Sequence, residues 1–152
     1  METSKKSGSI TFRYRIHWHV WITHFPISFY IASFIFQVLH LFPHPLSRTF
    51  EIATNVMLIA GTVTLIPAVW TGWVTWKHRY AGIRASQFQR KIVISFIMLA
   101  LAIALTVWRT GYLDVFEDVP YGPDHWVYLA GVFFLVIGTI LEGFYGIRLT
   151  HK

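Results

Sequence analysis

Histidine is the side chain in this sequence best suited to chemistry. There are eight in 152 residues, and no cysteine. Neutral imidazole ligates haem iron and other transition metals, and two imidazoles from facing helices can clamp one metal between them. Without cysteine, disulfides, thiolate-bound iron–sulfur clusters and haem attached through a C-x-x-C-H motif are excluded. Any cofactor is therefore held by other ligands.

Depth along the apolar runs separates the histidines. His24 lies about two turns inside the first run, beyond Trp18 and Trp21, where an ionisable group is costly and points to function. His19 is one turn nearer the end, and His78 closes the second run, so both can approach the same level. At the opposite end, His40 closes the first run and His125 opens the fourth. His24, His78, His19, His40 and His125 are thus the candidate metal ligands. His17, His44 and His151 read as interfacial residues. His24 and His40 are sixteen residues apart, roughly 24 Å along a helix at about 1.5 Å per residue, and roughly 160° apart around its axis. They face different grooves of the bundle, so a second haem near the opposite leaflet would require His24 and His40 to use different helix neighbours.

Charged residues near these positions suggest supporting roles. Arg13, Arg15, Lys77 and Arg79 could pair with haem propionates, since arginine recognises carboxylates bidentately. The same residues also serve as the basic flank of membrane helices. Glu142, inside the fourth apolar run, could orient a ligand histidine, exchange a proton with a quinol, or stay neutral and hydrogen-bonded. Gln37 reads as a hydrogen bonder between helices. The sequence shows no nucleophile–base pair, phosphate loop or metalloprotease motif.

The elements that position these residues are membrane helices. The chain is 55% hydrophobic and only 13% charged, against roughly 25% charged in soluble domains. Four apolar runs, about residues 18–42, 52–76, 92–108 and 125–147, approach or exceed the roughly 17–25 residues that cross a bilayer core. Open sheets cannot satisfy their backbone in lipid. The reading is one all-α transmembrane domain over 1–152, a four-helix bundle running up-down-up-down, with a loosely ordered tail at 1–12. Pro43 and Pro45 end the first helix, and Pro123 suits the first turn of the fourth. Pro26 and Pro67 fall inside helices and favour kinks. Gly131 and Gly138, seven apart, form one close-approach face.

Charge sets the expected orientation. Lys5, Lys6, Arg13 and Arg15 precede the first helix, and Lys77, Arg79, Arg84, Arg90 and Lys91 lie between the second and third. Arg48 and Glu51 lie between the first and second, and Arg109, Asp114, Glu117, Asp118 and Asp124 between the third and fourth. The positive-inside rule puts both termini in the cytoplasm, in a multi-pass protein of the cytoplasmic (inner) membrane. Anionic lipid accounts for the net charge of +6, and nucleic acid is not an expected partner.

The stretch HVWITHFPIS, residues 19–28, resembles the opening of a bacterial and archaeal family of small four-helix membrane proteins, catalogued as domain of unknown function 2231 and predicted to bind haem. Its first helix carries histidine, four residues, histidine, an apolar residue, proline and an aliphatic residue. His19, His24, Phe25, Pro26 and Ile27 fill those places here. The small-residue run with Gly61 and Gly72, and the ending EGFYGIRLTHK, are similar too. Members often carry a histidine entering the third helix; here RASQFQRKIVIS has none, which leaves His78 as the replacement.

Residues and resemblance together imply haem b, one near His24 with a second near His40 and His125 as the extension. The expected function is a membrane-embedded b-type cytochrome: an electron-transfer subunit or anchor of a redox complex rather than a stand-alone enzyme. Its partners would be lipid, redox subunits and quinone. A haem-free structural subunit and a small transporter or proton path are the alternatives. On this reading His24→Ala loses haem.

Overall fold

A computed structural model describes the backbone over residues 4–42, 45–79, 86–111 and 122–150, and side chains over 21–42, 45–78, 89–111 and 122–145. The described residues form four helices: α1 (Ser4–His40), α2 (Ser47–Arg79), α3 (Ser86–Gly111) and α4 (Pro123–Thr150). Each packs on the next, and α4 returns against α1. No strand occurs among the described residues.

All four helices are long and apolar enough to cross a membrane, over Trp21–His40, Ser47–His78, Gln89–Gly111 and Pro123–Tyr145. They overrun the expected boundaries because hydropathy marks only the apolar part, whereas the helical register continues through polar turns. The residues expected as a loose tail therefore begin α1, which is helical from Ser4. Pro123 is the first residue of α4, where its missing N–H costs nothing. Within α2, Thr54, Thr62, Thr64, Thr71 and Thr75 bond carbonyls one turn back, which satisfies their hydroxyls inside an apolar span.

The outward faces are apolar. Ile35, Val63, Ile97 and Phe134 are all exposed, as a lipid-facing surface requires. The buried core joins Tyr30, Leu58, Leu65, Met98, Ala102, Leu105, Tyr128, Val132 and Leu135. Glycines bring the helices together. A Cβ on Gly131 would lie 2.6 Å from Leu105, and one on Gly138 2.6 Å from Met98. On α2, Gly61 lets the Tyr30 ring lie against its backbone, at 2.6 Å from where a Cβ would stand.

Candidate metal centre

At one end of the bundle all four helices place a charged or strongly polar side chain in the interior. His40 ends α1, Glu51 lies in the second turn of α2, Arg109 ends α3 and His125 lies in the first turn of α4. Their exposures are 4%, 5%, 1% and 2%. Each sits on its helix's buried face by simple spacing. On α1 that face reads Tyr30, Ser33, Gln37 and His40; on α3, Met98, Ala102, Leu105 and Arg109; on α4, His125, Tyr128, Val132 and Leu135.

The two imidazole rings have centroids 5.1 Å apart and planes inclined by 50°. Ligand atoms of His40, Glu51 and His125 all lie within 4.8 Å of one another. Two imidazoles and a carboxylate suit iron, manganese, zinc or copper.

Ser47 fixes the chemistry of His40. The Ser47 hydroxyl donates its single proton to the His40 carbonyl at 2.9 Å. His40 Nδ1 lies 2.9 Å from the Ser47 carbonyl and 3.0 Å from Ser47 Oγ. Both are acceptors toward Nδ1, so this geometry favours the tautomer with the proton on Nδ1 and presents Nε2 as the nitrogen that would ligate a metal.

Glu51 is held on both oxygens. Arg109 donates to Oε1 through Nη2, and Arg48 donates to Oε2 at 3.0 Å. Arg109 also lies over the Tyr128 ring, 5.1 Å from its centroid, a favourable cation–π arrangement. Opposite formal charges face each other in the Glu51–Arg109 pair, so the buried unit adds no net charge to the interior.

The structure brings His40 and His125 together, and it separates the other candidates. His24 is exposed and lines an open recess with Trp21, Phe25 and Ser28. The expected separation of His24 from His40 around the axis thus leaves His40 inside the bundle and His24 on its surface. His78 is exposed too. His40 meets Ser47, Ser33 donates to the Thr54 carbonyl, and Tyr30 lies on Gly61. That register sets residues 63–67 of α2 level with His24. His78 lies at least eleven residues further, roughly 16 Å or more at about 1.5 Å per residue, so the two do not share an iron in this bundle.

The supporting residues fall as follows. Lys77 lies over the Trp73 ring, 5.3 Å from its centroid. Glu142 accepts from Ser95 of α3 rather than meeting a histidine. Gln37 does not bridge helices: it is fully buried, and neither amide atom has a hydrogen-bond partner among the described residues. Arg13, Arg15 and His19 lie on α1, and Arg79 is the last residue of α2, but their side chains, like His44 and His151, lie outside the described residues.

Glu51 and Arg109 are the site residues that sequence reasoning missed. The signal was helical spacing: Glu51 shares a face with Thr54, Asn55 and Leu58, and Arg109 with Leu105 and Ala102. No family model, curated protein or solved structure matches the chain.

Proposed function

We propose that this protein is a small multi-pass redox protein of the cytoplasmic membrane that transfers electrons through a metal held by His40, His125 and Glu51. The observation that carries this reading is the His40–His125 ring pair, almost fully buried at 5.1 Å with a carboxylate beside both donors. A metal bound there supplies one-electron exchange. The protein holds the imidazoles in place and fixes the His40 tautomer through Ser47. The positive-inside bias supports an up-down-up-down bundle with both termini cytoplasmic and this centre near the outer face. Redox subunits and quinone are the partners this placement suits.

Haem b at the same pair is the second reading, and charge favours it. The buried Glu51–Arg109 unit is already neutral, so a bare dication adds uncompensated charge, whereas haem brings propionates that Arg48 and Arg109 could take. Packing opposes it. Imidazoles facing each other across one metal at about 2.0–2.1 Å put ring centres roughly 6 Å apart. The observed rings are closer, and the Glu51 carboxylate stands beside both donors, where a macrocycle would lie. Metal analysis of the purified protein, with its reduced-minus-oxidised spectrum, decides. Iron or copper without haem bands supports the ion, and b-type bands support haem. Zinc alone, or no metal, ends the electron-transfer reading.

A further inference from the structure

Below the candidate metal centre, polar side chains continue through the bundle interior for half the membrane, beside the apolar Leu58 and Leu105. The buried stripe of α1 is Tyr30, Ser33, Gln37 and His40, at spacings of three, four and three. Thr54, Asn55 and Thr62 of α2 and Tyr128 of α4 are buried as well. The Thr62 hydroxyl reaches Thr106 of α3 at 3.1 Å. Tyr30 is ten residues from His40, roughly 15 Å at about 1.5 Å per residue, which is half of a core about 30 Å thick. Beyond it the interior turns apolar, with Leu65, Met98, Ala102 and Leu135.

Six atoms in this polar half have no hydrogen-bond partner among the described residues: Tyr30 Oη, both amide atoms of Gln37, Asn55 Oδ1, Arg109 Nε and Tyr128 Oη. Tyr30 lies near Thr62, and Tyr128 near Ser33, without bonds of good geometry. Leaving buried polar groups unpaired is costly, most of all inside a membrane. The set also selects its occupant. Gln37 Nε2 and Arg109 Nε only donate, while Gln37 Oε1 and Asn55 Oδ1 only accept. An anion cannot satisfy the acceptors, nor a cation the donors. Water satisfies both, typically making two to four bonds in such sites.

We infer that this half of the interior is a water-filled path, lined by Gln37, Asn55, Tyr128 and Tyr30, that admits protons from the His40 end to the middle of the membrane. Proton relays of this kind run through water and hydroxyl groups. Arg48, with a side chain 30% exposed, stands at its mouth. The Leu65, Met98, Ala102 and Leu135 layer closes its inner end. The path does not rest on a metal being bound.

The chain has no cysteine, so single thiols can report access directly. Thr62→Cys and Ser33→Cys are compared with Ala102→Cys, each in the full chain in lipid vesicles, with silver ion as a water-sized thiol reagent. Thiols that survive silver are then tagged after unfolding in SDS. Thr62→Cys and Ser33→Cys are expected to react at least about tenfold faster than Ala102→Cys, the ratio that an opening cost of about 1.4 kcal/mol at the dry site alone would give. Adding Gln37→Leu to Thr62→Cys, in protein whose helicity is unchanged, should slow it to the Ala102→Cys rate. Reporters as slow as Ala102→Cys, or rates indifferent to Gln37→Leu, would overturn the inference.

Discussion

Replacing Glu51 by glutamine keeps the shape of the side chain and removes its charge. Arg109 would then be a guanidinium, 1% exposed, with no carboxylate partner among the described residues. Breaking a buried ion pair from one side costs about 3–5 kcal/mol, because it leaves the remaining charge buried and uncompensated. The Tyr128 ring over Arg109 offsets little of this, since a desolvated cation–π contact contributes about 2 kcal/mol and is already present in the parent. Arg48 is the contrast. Its side chain is 30% exposed, so Arg48→Ala should cost only about 0–1 kcal/mol. The double variant Glu51→Gln/Arg109→Met removes both charges and should recover most of the loss. The assay is SDS-titrated unfolding followed by tryptophan fluorescence, with chelator present so that metal loss plays no part. Glu51→Gln within about 0.5 kcal/mol of the parent, the range of an ordinary surface change, would refute the claim that this pair is a buried ion pair.

Other outcomes follow from the same geometry. Ser47→Ala removes the hydroxyl from His40 while leaving its own carbonyl in place, so metal affinity should fall by about 10–100-fold without being lost, read by competition with a chelator of known affinity. Gly138→Leu drives a side chain into Met98 and should cost about 1–3 kcal/mol by SDS unfolding. Gly143→Leu, with open space at the same point, should stay within about 0.5 kcal/mol of the parent. His24→Ala should keep its full metal content, the reverse of the outcome expected from sequence; metal content below half of the parent's would return His24 to the site.

The helices were legible because lipid leaves so few alternatives for the backbone: runs of about twenty apolar residues must be helical. Their ends were less so. Hydropathy stops at the first charge, and the expected runs began at residue 52 and ended at residue 108. Glu51 and Arg109 stand one residue beyond those limits. Each looks like a loop charge alone, and only their pairing across α2 and α3 makes both interior. Sequence cannot show that pairing, because it depends on which helices become neighbours. Among the histidines, depth singled out His24, but depth does not say which way a side chain points. Spacing from His40 said that the two face apart. The packing of α1 against α2 and α4 then decided that His40 is the one inside.

The central claim is that His40 and His125 hold a metal together. The most direct measurement is metal and haem content per chain, with a reduced-minus-oxidised spectrum, for the parent, His40→Ala, His125→Ala and His24→Ala purified alike. One redox-active metal is expected in the parent and in His24→Ala, and none in either of the other two. A parent that takes up no metal when iron, copper and haem are each supplied, or metal that survives loss of both His40 and His125, would contradict it.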